Sequence, residues 1–322
     1  MIFSEVLIAV VVVLVLSVLF ILSRSEVNLR LWWSIKMGKP IDHLQGQVVW
    51  ITGASSGIGE FTAYKLAEAG CKLVLSARRA DELERVKAAC LRAGGPKLRE
   101  TDVLVLPLDS TKFATHKEAV ASVLSYFQKI DILVNNAGKS QRAGWLEVEL
   151  AVDRELFELN VLGPVSLTRE VLPHMIDRRR GHIVVISSIA GKLGIPQSRS
   201  YNGSKSAVQG YFECLRTEMG EHNIDVTVVC PGPVFSKAFM HAATGTAGES
   251  LGREMSSTEK RISTERCAHL VAIATANRLP EVWISQHPWL ALLYLNQYWA
   301  DACRWLFLRF GTGYMMKMRD CQ

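Results

Sequence analysis

No stretch of this chain spells a metal centre, a disulfide framework or a hydrolase. Its seven cysteines, at 71, 90, 214, 230, 267, 303 and 321, are odd in number and never fall into C-x-x-C, which argues against a zinc site or a redox pair. Cys230 sits in an apolar run and reads as a small buried hydrophobe. The eight histidines never fall into H-x-x-x-H, so no metal is expected. Ser187-Ser188 lacks the glycines of a G-x-S-x-G elbow, which argues against acyl hydrolysis. Charge of one sign is scarce: 37 Lys and Arg against 31 Asp and Glu leave +6 over 322 residues. The longest basic run, Arg178-Arg179-Arg180, ends a helical pattern, where it suits a helix C-terminus. Without a basic stripe and base-stacking residues, no nucleic-acid partner is expected. Internal repeats and extended low-complexity segments are also missing.

What is present suits one large α/β domain with extras. Hydrophobic residues make up 49% of the chain and charged ones 21%, enough for a core that stands without disulfides or metals. Residues 6–22 are an unbroken run of Val, Leu, Ile, Ala and Phe with one serine. With Ile2 and Phe3 the run approaches the ~20 residues that span a bilayer, and it shows no polar face. A cleaved signal peptide is the rival reading, but Glu5 stands where a basic region belongs and no A-x-A site follows Leu22. Residues 1–24 are therefore expected to be a retained membrane anchor and 25–46 a linker. Arg24, Arg30, Lys36 and Lys39 follow the run, which places the main domain in the cytosol. Trp32 and Trp33 suit the headgroup level, or equally pack on the domain.

After Pro40 short β-branched runs alternate with helical stretches. Strands are expected at 47–51, 72–76, 102–106, 131–134, 182–187, 225–229 and 281–285, and helices at 57–69, 81–93, 152–178, 199–222 and 264–278. Strands that are apolar on both faces, alternating with helices, predict a Rossmann-like doubly wound parallel sheet over 47–285. Residues 235–261, rich in small and polar types, read as a mobile flap.

The first βα junction is Thr52-Gly53-Ala54-Ser55-Ser56-Gly57-Ile58-Gly59. Glycines there permit a tight turn and bring backbone N–H groups to a pyrophosphate at a helix N-terminus. The second strand ends at Ala77-Arg78-Arg79, without the acid that binds ribose hydroxyls in NAD enzymes. An arginine suits a 2′-phosphate, so the pattern favours NADP(H), unless both arginines simply begin a solvated helix face. Asn135-Asn136-Ala137-Gly138 follow the fourth strand, and Asn160 stands in a helical pattern. Ser188 follows the fifth strand, and Tyr201-Asn202-Gly203-Ser204-Lys205 opens a helix. Tyr201 and Lys205, four apart, share a helix face, and a cation near a phenol favours phenolate. Y-x-x-x-K alone is commonplace. Joined to the glycine turn, the N-N-A-G loop and Ser188 thirteen residues earlier, it is specific.

With these motifs in order, residues 47–285 resemble the short-chain dehydrogenase/reductase family. Gly203 departs from the family's commoner Y-x-A-S-K, which leaves the catalytic pair intact but suggests a looser helix start. The resemblance implies that Tyr201 is the general acid in reduction and base in oxidation. It implies that Lys205 binds the nicotinamide ribose and lowers the tyrosine pKa, that Ser188 holds the substrate oxygen, and that Asn160 holds a relay water. Thr52, Gly53, Ser55, Ser56, Gly57, Ile58 and Gly59 would bind cofactor, with Arg78 and Arg79. Asp109 would meet adenine; Asn135, Ala137 and Gly138 would line the cofactor. Pro231, Gly232 and Val234 would pack by the nicotinamide amide, with Ser236 where the family often has threonine.

The tail, 286–322, mixes Trp289, Tyr298, Trp299, Trp305 and Phe307 with Arg304, Arg309 and Lys317. It suits either a segment lying in the membrane interface or helices packed over the core. The expectation is an NADPH-dependent carbonyl reductase in the endoplasmic reticulum membrane, acting on a lipophilic, retinoid- or steroid-like substrate and compatible with a homodimer. A membrane scaffold that retains the nucleotide fold and a reductase of long-chain keto-lipids are the alternatives. The intact Ser188, Tyr201 and Lys205 count against the scaffold.

Overall fold

Seven apolar runs become seven strands in the computed structural model, which describes residues 2–236, 240–252 and 261–319. They are β1 (Val48–Thr52), β2 (Lys72–Ser76), β3 (Val103–Val105), β4 (Ile132–Asn135), β5 (Gly181–Ile186), β6 (Ile224–Pro231) and β7 (Glu281–Ile284). They form one sheet in the order β3-β2-β1-β4-β5-β6-β7, and every neighbouring pair is parallel. Strand order reverses between β1 and β4, the crevice where open sheets of this type bind ligands beyond the strand C-termini.

Alternate side chains feed two cores. Val49, Ile51, Leu73, Leu75 and Val134 pack under α3 (Gly57–Glu68), α4 (Ala80–Gly94) and α9 (Thr264–Ala276), with α2 (Leu29–Met37) beside them. Val48, Trp50, Val74, Leu133, Val185 and Val228 pack under α5 (His116–Phe127), α7 (Gly163–Asp177) and α8 (Arg199–Met219). Both sheet faces are therefore covered, which is why the strands carry no polar alternation. One expected helix, 152–178, is in fact α6 (Leu150–Phe157) and α7 joined by a π-helical turn, Glu158–Leu162. In that turn the Gly163 N–H donates to the Glu158 carbonyl five residues back.

The stretch expected to be a linker is built into the domain. Val27 pairs with Ile284 at the free edge of β7, the Asn28 N–H donates to the Trp283 carbonyl at 3.1 Å, and Leu31 and Leu44 are buried. The run expected to be an anchor is helical, α1 (Ile2–Arg24), and Val6, Leu7, Val13, Leu16 and Phe20 on it are exposed. Among the described residues no helix is long and apolar enough to cross a membrane. The tail forms α10 (Trp289–Tyr298) and α11 (Ala300–Arg319), the latter interrupted at Gly311, whose φ is +74°. Trp289, Leu290, Leu293, Cys303 and Met315 are buried, while Trp299, Trp305, Leu308 and Phe310 are exposed. One side of the tail packs on the core and the other presents aromatics to the outside. Of the segment expected as a flap, 237–239 and 253–260 lie outside the described residues. The part at 240–252 is tied down: the Ala243 N–H donates to Ser140 and its carbonyl accepts from Arg142, both at 2.8 Å.

Candidate active site

The C-terminal ends of β1, β2, β4, β5 and β6 open into a cavity of about 550 Å³. At one end the turn after β1 is held open by two close approaches. Gly53 adopts φ +65°, and a Cβ there would lie 2.8 Å from the Ala137 Cα. A Cβ on Gly59 would lie 2.5 Å from the Gly53 carbonyl and 2.4 Å from Asn136 Nδ2. Thr52 Oγ1 accepts from the Asn136 and Ala137 N–H groups at 3.1 and 3.2 Å, and Asn136 Nδ2 returns hydrogen bonds to the Thr52 and Gly53 carbonyls. The N-N-A-G loop thus braces the glycine turn. Gly53, Ser55, Ser56, Gly57 and Ile58 line the cavity, with Ser236 against Gly57.

Arg78, Arg79 and Asp109 line the same end. Arg79 donates to Ser55 Oγ at 3.3 Å. Burial of the Asp109 carboxyl works to raise its pKa, but two hydrogen bonds from Thr111, aided by Arg78 and Lys112, hold it below the usual carboxylate range.

At the other end, Ser188, Tyr201 and Lys205 face one space, together with Ala137, Gly138, Pro231, Gly232 and Val234. Lys205 lies in the second turn of α8, is buried, and donates from Nζ to the Ile186 carbonyl at 2.7 Å. Its ammonium is 5.8 Å from the Tyr201 ring centroid. Burial drives its pKa down to about 8. Burial raises the Tyr201 pKa, while a hydrogen bond with the Ser188 hydroxyl and the positive charge of Arg142 act against that rise. Ser188 also donates to the Pro231 carbonyl at 3.2 Å and accepts from the Ala190 N–H at 3.1 Å, which fixes its rotamer. Gly203 leaves room rather than slack: a Cβ there would meet only the Phe157 ring, at 3.7 Å, and α8 runs unbroken from Arg199. A phenol, a hydroxyl and an amine so arranged can protonate or deprotonate an oxygen bound between the first two.

A family model described as short chain dehydrogenase matches residues 47–246. The chain belongs to the short-chain dehydrogenase/reductase family. It is 47% identical over 290 residues to dehydrogenase/reductase SDR family member 7 of Homo sapiens, covering 89% of this chain and 85% of that one. The Mus musculus protein of the same description is 46% identical, covering 92% and 88%. Among solved structures, an alcohol dehydrogenase from Thermococcus sibiricus complexed with 5-hydroxy-NADP superposes with a TM-score of 0.65. It is 25% identical and covers 76% of this chain and 97% of its own. A short-chain dehydrogenase from Streptomyces avermitilis gives 0.66 at 27% identity, covering 83% and 98%. The family and fold make this chain an oxidoreductase whose sheet binds a nicotinamide dinucleotide.

Four of the sequence-derived site residues of this dehydrogenase/reductase stand behind the cavity wall rather than in it. They are Thr52, Gly59, Asn135 and Asn160. Thr52 and Gly59 shape the turn. Asn135 points away, donating to Thr168 Oγ1 at 2.9 Å. Asn160, in the π turn, spends its amide on its neighbours: Oδ1 accepts from the Lys139 N–H at 2.8 Å, and Nδ2 donates to the Lys139 carbonyl and to Ser204 Oγ, each at 2.9 Å. A π turn at such a place is a common mark of a functional site. Conversely, Asn136, Arg142, Ser198 and Trp289 line the cavity and were not singled out. Asn136 was legible, since it belongs to the loop motif; Arg142, Ser198 and Trp289 carry no motif and reach the site only through the fold.

Proposed function

We propose that this chain is a membrane-anchored, NADP(H)-dependent dehydrogenase/reductase interconverting a carbonyl and an alcohol on a lipophilic, retinoid- or steroid-like substrate. The observation that carries the chemistry is the convergence of Ser188, Tyr201 and Lys205 on one cavity whose far end is the glycine turn. A bound cofactor supplies or accepts the hydride. Ser188 and Tyr201 hold the substrate oxygen, and the phenol gives it a proton in reduction or takes one in oxidation. Lys205 anchors the nicotinamide ribose. Asn160 fixes the Lys139 backbone and, with it, the floor beside Gly138, whose Cβ position lies 3.1 Å from Asn160 Oδ1. The remaining assignments follow position: Asp109 for adenine, Pro231, Gly232 and Val234 for the nicotinamide amide.

The preference for NADP(H) is supported by Ala77 where an acid would bind ribose and by Arg78, whose charge reaches Asp109 across the adenosine end. A lipophilic substrate is supported by Leu159, Ile189, Ile195 and Trp289 in the wall beyond the catalytic groups. Membrane attachment is supported by the exposed apolar side chains of α1 and the aromatic outer side of α11. The setting proposed is the endoplasmic reticulum membrane, with the catalytic domain in the cytosol because the basic residues follow the apolar run.

The decisive experiment supplies NADPH and a panel of apolar aldehydes and ketones to the full chain in detergent. Wild type turns some of them over, and Tyr201→Phe loses at least ~10²-fold, the low end of what general acid–base catalysis contributes, while still binding NADPH. Undiminished turnover by Tyr201→Phe defeats the mechanism. For attachment, the chain is expected to stay with membranes through alkaline carbonate extraction. Glycosylation acceptors placed after Leu22 are expected to stay unmodified; a modified acceptor reverses the orientation.

A further inference from the structure

The family resemblance gives the task of charging the phenol to Lys205, yet the geometry around that lysine leaves the task incomplete. Its Nζ is committed to the Ile186 carbonyl, and its ammonium lies 5.8 Å from the ring centroid rather than against the hydroxyl. Burial brings its titration to about pH 8, so its charge fades over the alkaline range in which a phenolate forms. A second cation reaches the same space from a different element. Arg142 lies four residues beyond Gly138, lines the cavity with Tyr201 and Ser188, and is half-buried. Its Nη1 donates to Ser198 Oγ at 2.9 Å and to the Gln141 carbonyl at 3.1 Å. Ser198 is buried at the N-cap position of α8, where its carbonyl accepts from the Asn202 N–H at 2.7 Å, so the guanidinium on its hydroxyl is tied to the first turn of the helix that carries Tyr201. The backbone is held as well: the Arg142 N–H donates to Ala243 at 2.8 Å and the Ala143 N–H to Gln197 at 3.2 Å.

We propose that Arg142 is a positioning residue of the acid–base machinery, a permanent positive charge fastened by Ser198 at the Tyr201 end of the cavity that sustains the phenolate of Tyr201. The inference rests on the acid–base role given to Tyr201 above. A guanidinium stays protonated at every pH at which the protein is folded, unlike a buried ammonium. Arg261, His241, Lys139 and Glu155 line the same cavity, whereas Arg142 is the cation that acts on the phenol. Cys230, from β6, is a thiol that burial keeps neutral, so it brings no charge to the phenol. Lys139 is paired with Glu155 at 2.8 Å. At an effective dielectric of about 20, a full charge within about 12 Å of a phenolate oxygen changes the phenolate population by about tenfold or more.

The test reads the phenol itself, so it does not depend on which substrate is turned over. Tyrosinate absorbance in the near ultraviolet is titrated on the full chain in detergent, with and without NADP⁺. Each protein is subtracted from its Tyr201→Phe counterpart, and circular dichroism reports the fold at every pH. Arg142→Gln is expected to move the Tyr201 midpoint up by about one pH unit, equivalent to about tenfold less phenolate below it. Arg142→Lys keeps a charge and is expected to stay near wild type. Ser198→Ala keeps the arginine but releases its tether, and is expected to fall between. Coincident midpoints in wild type and Arg142→Gln overturn the proposal, as does an equal shift in Arg142→Lys and Arg142→Gln. Should Arg142→Gln fail to fold, Ser198→Ala decides, and a midpoint at the wild-type value overturns it. A wild-type Tyr201 that does not ionise before alkaline unfolding overturns it too. A purely structural arginine would lower stability and leave the midpoint where it was.

Discussion

Replacing Lys205 with methionine should stabilise the cofactor-free protein near neutral pH, and the gain should shrink as the pH rises. The wild-type ammonium is buried, and among the described residues no carboxylate pairs with it; its recorded hydrogen bond is to the Ile186 carbonyl. Its pKa falls from an ordinary 10.5 to about 8 because burial penalises the charged form. That fall corresponds to about 3 kcal/mol held against the native state wherever both folded and unfolded lysine are protonated, that is, below pH ~8. Methionine matches the stem, removes the charge, and orphans one carbonyl at a cost of about 1–2 kcal/mol, leaving a net gain of about 1–2 kcal/mol at pH 7. Between pH ~8 and 10.5 the unfolded lysine binds more proton than the folded one, so wild-type stability rises with pH relative to the variant. The difference between the two proteins should therefore narrow by about 2 kcal/mol from pH 7 to pH ~9.5. Urea denaturation of both full chains in detergent at several pH values measures this directly, and every other titrating group cancels in the subtraction. A difference that stays flat over that range would refute the claim that Lys205 carries a buried, uncompensated charge. The same substitution should remove carbonyl reduction, so a stabilised protein without activity is the combined signature of a residue kept for function.

Two further outcomes follow from the other end of the cavity. Arg78→Glu should weaken NADPH binding by about tenfold or more and leave NADH binding unchanged or improved, since a carboxylate repels a 2′-phosphate but accepts ribose hydroxyls. Fluorescence titration with both nucleotides checks it, and an equal loss for both would show that Arg78 only supports the helix it precedes. Gly59→Ala should cost about 1–3 kcal/mol and weaken dinucleotide binding, because its Cβ would stand 2.5 Å from the Gly53 carbonyl, an atom that cannot swing aside. Thermal denaturation with and without NADPH measures both effects. Unchanged melting would mean that the turn is not packed as described.

Much of the sheet was legible because burial on both faces leaves an unambiguous mark. Each expected strand falls within one or two residues of an observed one; the β6 run at 225–229 differs most, because Ile224 precedes it and Cys230 and Pro231 extend it. Periodicity was weaker where one pattern carried two structures. The stretch at 152–178 keeps an apolar stripe through α6 and α7, so nothing in it announces the π turn that swings Asn160 toward Lys139. The 25–46 stretch reads as a linker from its place between the apolar run and the first strand, yet Leu31 and Leu44 are buried, and Val27 pairs with the open edge of β7. Edges are a property of the assembled sheet, and no local pattern encodes them. The same reasoning applies to Arg142, whose importance depends on Ser198, 56 positions away, being the cap of the right helix.

The residues that motifs name and the residues that line the cavity are different sets, for a physical reason. A motif records side chains whose replacement breaks a geometry, and much of that geometry lies one layer behind the ligand. Thr52 holds the N-N-A-G loop through two N–H groups, Gly59 keeps a carbonyl and an amide from colliding with a Cβ, and Asn160 ties down both backbone groups of Lys139. None of the three opens onto the cavity. Residues of the far wall, such as Ile195 and Trp289, would answer to the shape of one substrate and so have no reason to repeat from one enzyme to the next. A motif-rich sequence can therefore specify a reaction sharply while leaving the substrate to the part of the wall it does not spell out.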